Sequence, residues 1–202
     1  LLTRAFCTHL HTDHTAGVAD LIFTPWVLER NEPLKVFGPK GIRSMTEHIL
    51  AAYAVDIDFR IHGFEKANEL GYRVEAEEIA PGIIYQDDLV SVEAFPVSHG
   101  TLESYAYRFV AGDKVIVISG DTAPLDIMAE KAKGCDLLLH EVEYTAGICA
   151  REPQWQQHPT GGLTPNTGLA RAAGEAPPTK LVTPHPAYVL CTPAPTTNLA
   201  GG

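Results

Sequence analysis

The sequence has little positive charge and no dense set of cysteines. Lysine and arginine number 15 against 25 aspartate and glutamate residues, which gives a formal net charge of −10. Because proteins bind nucleic acids largely by neutralising phosphates with lysine and arginine, this balance argues against a stable nucleic-acid-binding surface. The four cysteines form no CxxC pair, so we expect buried or free thiols rather than a disulfide scaffold.

Long apolar runs and a signal peptide are also missing from the sequence. Their absence favours a cytoplasmic protein with no membrane partner, and leaves open a signal upstream of Leu1. Apolar residues make up 45% of the chain, and 202 residues are enough for one good core. We expect one domain over residues 1–190 and a disordered tail over residues 191–202, which have no apolar periodicity.

Residues 8–14 carry the strongest chemical signal. They contain three histidines and an aspartate in the pattern His-x-His-x-Asp-His. Neutral imidazole and carboxylate are the ligands that suit zinc, with iron and manganese as alternatives. In an extended chain the side chains of His9 and His11 point the same way. Asp13 and His14 follow where a helix can open, so this pattern suits two neighbouring metals better than one closed tetrahedral site.

Apolar strands farther along the chain end repeatedly in residues that can bind a metal. The positions are His99, Asp121, His140 and His185. Strands packed side by side bring their ends to one edge of a sheet, so these residues can converge on a single site. Asp121 could instead cap a helix, and His140 is better read as a donor to a backbone carbonyl. We therefore take His99, Asp121 and His185 as candidate ligands.

The apolar periodicity predicts alternating strands and helices. Strands are predicted at residues 1–7, 34–37, 71–79, 89–97, 104–110, 114–118, 136–141 and 180–183. Helices are predicted to begin near residue 15 and to cover residues 44–55, 125–133 and 167–174.

The motifs HLHTDHTAG, SHG, SGDTAP and HEVEY, followed by a late histidine, resemble the metallo-β-lactamase superfamily. Within it, segments such as DLIFTPWVLER and FGPKG are similar to the ribonuclease Z branch and to related arylsulfatase-like hydrolases. The resemblance implies an α/β fold, a four-layer αβ/βα sandwich with the site at one edge of two packed sheets. The first strands of that sandwich would precede Leu1, so we expect this chain to lack them.

The resemblance also implies two metal ions, which we take as zinc with manganese or iron as alternatives. The first would be held by three imidazoles, those of His9, His11 and His99. The second would be held by Asp13, His14 and His185, with Asp121 shared between the metals. A water shared by two dications is acidic enough to supply a bridging hydroxide nucleophile at neutral pH. Asp13 would orient this nucleophile or act as the general base.

The residues after HEVEY depart from the pattern of the branch. There, a His-Ser-Thr or His-Thr-Ser element supplies the general acid, whereas residues 157–165 of this chain read QHPTGGLTP. His158 is the imidazole available, and we take it as the candidate acid. Leu163 and Thr164 stand where a second histidine is expected. This departure keeps a catalytically impaired or non-catalytic metal-binding protein as an alternative function.

Hydrolysis of phosphodiesters or sulfate esters is the activity that the resemblance implies. Ribonuclease Z enzymes grip tRNA with a protruding basic arm, but here only about twenty residues separate His99 from Asp121, enough for a hairpin. We therefore expect a small anionic ester as the substrate, with tRNA 3′ processing as a further alternative. Side chains that could bind the anion are those of Arg30, Lys35, Lys40 and Arg43, although a solvated surface charge is the more ordinary role for any one of them.

Two further expectations follow from the branch. A di-iron redox enzyme of the same fold commonly carries glutamate at the second motif position, so His11 favours a zinc hydrolase. Dimerisation is common in the branch, so a homodimer is possible, although no interface is evident in the residues.

Overall fold

The computed structural model describes residues 2–143, 162–165, 167–169 and 178–183, and the backbone of residues 186–187. The strands are β1 (Arg4–Phe6), β2 (Leu34–Gly38), β3 (Val74–Glu78), β4 (Gly82–Gln86), β5 (Ser91–His99), β6 (Leu102–Ala111), β7 (Lys114–Ile118), β8 (Leu137–Leu139), β9 (Val142–Glu143), β10 (Lys180–Val182) and β11 (Pro186–Ala187). The helices are α1 (Thr12–Thr15), α2 (Val18–Val27), α3 (Ile42–Ala52), α4 (Ala54–His62) and α5 (Asp126–Ala132).

Two sheets carry most of the strands. The first has three parallel strands in the order β1-β2-β3. The second has six strands in the order β10-β8-β7-β6-β5-β4, antiparallel from β4 to β7 and parallel from β7 to β10. A short parallel pair, β9 and β11, lies apart from both sheets. None of the helices in the described part of the chain is long and apolar enough to cross a bilayer.

Three apolar clusters define four layers. Side chains of α2 and α3, including Ile22 and Ile42, pack on the outer face of the three-stranded sheet. Phe37 of that sheet meets Tyr107 of the six-stranded sheet in the space between the two. On the far side of the six-stranded sheet, α5 packs through Met128. The order helix, sheet, sheet, helix confirms the predicted sandwich.

Most predicted elements are present with shifted ends, and the hairpin of β6 and β7 lies where it was expected. Four elements were missed, namely β4, α4 and the two-residue strands β9 and β11. The strand β4 has no alternation of apolar and polar residues, and α4 continues beyond the predicted helix after a break at Tyr53. Of the helix predicted over residues 167–174, residues 167–169 are described and are helical. The predicted tail, residues 191–202, lies outside the described residues.

Arg30 has a structural role, and the prediction that it binds substrate was wrong. Its side chain is fully buried, and its guanidinium donates to four backbone carbonyls at 2.6–3.1 Å. These acceptors come from three stretches of chain, namely Leu2, residues 21–22 in α2, and Gly71. Arg30 therefore fastens the segment before β1 and the segment before β3 to α2.

The other basic candidates are more exposed than Arg30. Lys35 and Arg43 line a groove between the two sheets, and the ammonium of Lys35 lies 3.9 Å from Glu75. Lys35 pairs with Arg4 in the sheet, toward the opposite end of the strands from His9. Lys40 follows β2 at the same end as the histidine motif, and its backbone N–H donates to Glu103. Of these basic residues, Lys40 is therefore the one placed at the same end of the strands as His9.

Candidate metal centre

The ends of three strands place the candidate ligands at one edge of the sandwich. The segment holding His9 follows β1, β5 ends at His99, and Asp121 comes three residues after the last residue of β7. A hydrogen bond of 2.9 Å from Tyr105 N–H to Thr8 O joins the two halves at this edge. Residues far apart in sequence therefore converge because the strands that carry them end side by side.

A short helix positions the second half of the motif. His11 is extended and occupies the N-cap position of α1, so the chain turns directly after it. Asp13 and His14 lie within α1, on the first turn beyond the cap. The change from extended chain to helix is the one that the spacing His-x-His-x-Asp-His predicts.

Three imidazole rings cluster around that of His9. Its ring centroid lies 4.2 Å from that of His14, 4.8 Å from that of His99 and 4.9 Å from that of His11. The rings of His11 and His99 are 4.8 Å apart. Such a concentration of imidazole nitrogen is typical of a metal site.

Two groups of potential metal ligands share His9. One consists of His9, His11 and His99, and the other of His9, His14 and Asp121; within each group the ligand atoms lie within 4.8 Å of one another. Asp121 Oδ2 lies 3.4 Å from His14 Nε2 and 4.0 Å from His99 Nε2, so it stands between the groups. Asp13 Oδ2 is 3.5 Å from His14 Nε2, at the exposed side of the cluster.

The structure thus brings together six of the predicted site residues. They are His9, His11, Asp13, His14, His99 and Asp121. His158 and His185 lie outside the described residues, so their roles as general acid and ligand stay predictions. Asp121 does not cap a helix, because the N-cap position of α5 is Leu125.

The chemistry of His9 shows that the cluster fits a cation. Its side chain is fully buried, and Nε2 has no hydrogen-bond partner among the described residues. Burial, and next the nearby imidazole of His14, lower the pKa of His9 to about 4, so the ring is neutral at physiological pH. A neutral imidazole with an unused buried nitrogen is the form that binds a metal.

Sequence reasoning assigned no role to Glu141, which lies buried behind the ligands. Burial raises the pKa of this carboxyl to about 8, so it holds its proton near neutral pH. Its Oε1 accepts a hydrogen bond of 2.6 Å from Thr164 N–H. The neighbouring His140 is also buried and has Nδ1 2.6 Å from the carbonyl oxygen of Glu141, which confirms its predicted backbone contact. The feature of the sequence that could have identified Glu141 is its carboxylate directly after an apolar strand.

The fold and the clustered histidines define a metallo-β-lactamase-type protein, and comparison with known families agrees. A family model described as a β-lactamase superfamily domain matches residues 2–185. The chain belongs to this superfamily. The predicted resemblance to the ribonuclease Z branch is confirmed by the curated relatives described next.

The chain is similar to curated proteins named ribonuclease Z. The one from Mycolicibacterium gilvum (strain PYR-GCK) is 32% identical over 145 residues, which cover 70% of this chain and 50% of the relative. A putative ribonuclease Z from Mycobacterium tuberculosis (strain CDC 1551 / Oshkosh) is 31% identical over 140 residues, 67% of this chain and 62% of the relative. The chain therefore spans about half the length of most curated relatives it matches.

Solved structures share the fold at lower identity. The metallo-β-lactamase fold protein YhfI from Bacillus subtilis superposes with a TM-score of 0.64 at 18% identity, covering 92% of this chain and 65% of that one. The short form of human tRNase Z also gives a TM-score of 0.64, at 22% identity, covering 91% of this chain and 72% of that one. These neighbours support the fold assignment.

Proposed function

We propose that this chain forms the metal-binding part of a hydrolase that cleaves phosphodiester bonds in small substrates. The observation that carries the proposal is the position of Asp121, whose Oδ2 lies near a histidine of each ligand group. A neutral imidazole nitrogen binds one ion, whereas a carboxylate can serve two, so this set of four imidazoles around one buried carboxylate suits two adjacent metal ions, which we take as zinc, with manganese or iron as alternatives. Membership of the superfamily supports the same proposal.

The described residues have separable roles in this proposal. Bound metal ions would supply a nucleophile at neutral pH and stabilise the charge that develops on the ester. His9, His11 and His99 would hold one ion, while Asp13, His14 and Asp121, with the predicted ligand His185, would hold the other.

Asp13 is proposed as the general base. Its side chain is 63% exposed, whereas that of Asp121 is 7% exposed, so Asp13 is the carboxylate that an incoming substrate and water can reach. A carboxylate at the open side of the cluster can accept a proton as the nucleophile attacks. His158 remains the proposed general acid for the leaving group.

A small diester is favoured over a folded RNA by the shape of the β6–β7 hairpin. Between His99 and Asp121 the chain consists of β6, the turn at Gly112 and Asp113, and β7. This stretch carries no protruding basic arm, and the net charge of −10 opposes binding of a polyanion. A diphosphatase of the PhnP family shares the fold, with a TM-score of 0.58 at 16% identity.

Processing of tRNA 3′ ends is the second candidate. It is favoured by the 32% identity to a protein named ribonuclease Z. Sulfate esters are a third substrate class that the metal-ligand cluster would accommodate, because a sulfate monoester also presents an anionic tetrahedral centre. The substrate assay below separates these possibilities.

The test compares three substrates on chelated protein to which zinc or manganese is restored. We expect hydrolysis of bis(p-nitrophenyl) phosphate, slower hydrolysis of p-nitrophenyl sulfate, and little cleavage of a precursor tRNA. Asp121→Asn should lower the diester rate by roughly a hundredfold or more, since it removes a charge between the ligand groups. His48→Ala, on an exposed face of α3, is the matched control and should retain the rate. Efficient site-specific trimming of the tRNA, or metal binding without any hydrolysis, would overturn the proposal.

A further inference from the structure

Residues 162–164, which follow the HEVEY strand in sequence, contact the candidate metal centre from outside the ligand set. The carbonyl oxygen of Gly162 lies 2.6 Å from Nδ1 of His99. Thr164, two residues later, bonds to Thr122, the neighbour of Asp121, and to Glu141. One short segment therefore touches a ligand and the residue next to another ligand.

The contact at His99 fixes which of its nitrogens carries hydrogen. A carbonyl oxygen only accepts hydrogen bonds, so Nδ1 of His99 must donate and the lone pair of the neutral ring is on Nε2. Nε2 is the nitrogen that faces the cluster, 3.0 Å from His11 Nδ1 and 4.0 Å from Asp121 Oδ2. The carbonyl of Gly162 thus holds His99 in the tautomer and ring orientation that a metal requires.

Residue 162 has little room for a side chain beside His99. A Cβ atom added to Gly162 would lie 3.0 Å from Nδ1 and 3.5 Å from Cε1 of His99. That spacing is tighter than ordinary contacts between Cβ atoms and their neighbours, so an added methyl group would push the ring by a few tenths of an ångström. The absence of a side chain is what lets the backbone reach the imidazole.

Thr164 anchors the segment. It is fully buried, and its hydroxyl donates to Thr122 O at 2.7 Å. Its N–H donates to Glu141 at 2.6 Å, and its carbonyl accepts from Glu143 N–H at 2.8 Å. These three hydrogen bonds hold the backbone at residue 164 in place. Because Gly162 is only two residues away, they also restrict the position of its carbonyl group.

We propose that residues 162–164 are a positioning clamp for the metal centre, in which Gly162 O orients His99 and Thr164 anchors the carbonyl. The inference rests on the proposed metal-dependent function and assigns to it a determinant of metal affinity outside the ligand set. Hydrogen bonds to the second nitrogen of a metal-binding histidine typically change metal affinity by about 10–100-fold.

The first test measures zinc affinity by competition with a chromophoric chelator. Gly162→Ala should weaken binding by about tenfold or more. Gly38→Ala is the matched control, because its added Cβ would lie 3.1 Å from Ile42 and 3.2 Å from Cys7, a similar crowding without contact to a ligand. Thr164→Val should weaken binding and Thr164→Ser should restore it, since serine keeps the hydroxyl. Equal zinc affinity in Gly162→Ala and Gly38→Ala would overturn the clamp.

The second test does not depend on metal. Long-range ¹H–¹⁵N NMR of the histidine rings in the metal-free protein should show His99 with hydrogen on Nδ1, and Gly162→Ala should reduce that population. Hydrogen on Nε2 of His99 in the unmodified chain would contradict the clamp. If the chain binds no zinc, the proposed function fails while the NMR result still decides the role of Gly162. If zinc binds and the diester is cleaved but Gly162→Ala changes nothing, the clamp alone fails.

Discussion

Two properties of the His9 side chain favour the binding of a cation. It is fully buried, and three other imidazoles surround it, so protonation of its ring is unfavourable. At the same time its Nε2 lacks a hydrogen-bond partner among the described residues, a state that costs about 1–3 kcal/mol in a folded protein. A metal cation at this position would remove the penalty, which explains why the fold tolerates the arrangement.

Glu141 should give the metal-free protein a pH-dependent stability. Burial raises its pKa from the ordinary value of 4.5 to about 8, so between these values the folded state holds a proton that the unfolded state has lost. The stabilising contribution is therefore complete below pH 4.5 and is lost as the pH rises toward 8. One fully held proton corresponds to a slope of about 1.4 kcal/mol per pH unit.

Glu141→Gln isolates this effect, because glutamine keeps the shape and an acceptor for Thr164 N–H but does not titrate. Urea unfolding of metal-free protein at pH 5 and pH 8 should show a smaller loss of unfolding free energy in the variant than in the unmodified chain. Glu47→Gln, at an exposed position of α3, should behave like the unmodified chain. Parallel pH dependence in all three proteins would refute the buried, protonated carboxyl.

At the scale of elements, the guanidinium of Arg30 joins α2 to the segments that precede β1 and β3, and no sheet pairing connects α2 to either segment. Replacement by methionine would keep the apolar stem but leave four carbonyl acceptors without the guanidinium. Since each unsatisfied buried polar group costs about 1–3 kcal/mol, we expect Arg30→Met to lower the unfolding free energy by at least about 3 kcal/mol. Arg43→Met, at an exposed position, should change it by less than about 0.5 kcal/mol. Equal urea midpoints for the two variants would be evidence against the structural role.

Elements with a strong apolar period could be predicted from the sequence, and elements held by distant contacts could not. The alternation in β5 and the helical spacing in α3 are local, so their positions followed directly. The strand β4 is short and partly exposed, and it exists because β5 pairs with it. Arg30 looked like a surface cation because nothing in its neighbourhood in sequence shows that Gly71 O will lie 2.7 Å away.

The candidate metal centre was predictable to the extent that its ligands end strands or form one motif. His9 and His14 came from spacing alone, and His99 and Asp121 from their places after apolar strands. The supporting contacts were hidden, because they depend on a backbone carbonyl and on groups distant in sequence. The contact between His99 and Gly162 spans 63 residues and leaves no pattern in the sequence.

For the whole molecule, the candidate metal centre lies where the two halves of the sandwich meet. His9, His11 and His14 follow β1 of the three-stranded sheet. In the six-stranded sheet, His99 is the last residue of β5 and Asp121 follows β7. A metal bound by both sets would join the sheets only in the folded state. Binding should therefore stabilise the fold in addition to serving catalysis.

Removal of metal should accordingly lower the thermal midpoint. A ligand that binds only the folded state adds about 2.7 kcal/mol when its free concentration is a hundred times the Kd. We expect scanning calorimetry to show a higher Tm with saturating zinc than with chelator, and no such increase for His9→Ala. Identical midpoints with zinc and with chelator in the unmodified chain would argue against a site shared between the two sheets.

The most direct test of the central claim is the number of metal ions per chain, measured by elemental analysis after dialysis. The account predicts close to two zinc ions in the unmodified chain. It predicts a loss of at least one in His9→Ala, because His9 is a proposed ligand of the first ion, and no loss in His48→Ala. One ion or none in the unmodified chain, or unchanged content in His9→Ala, would contradict a shared two-metal centre.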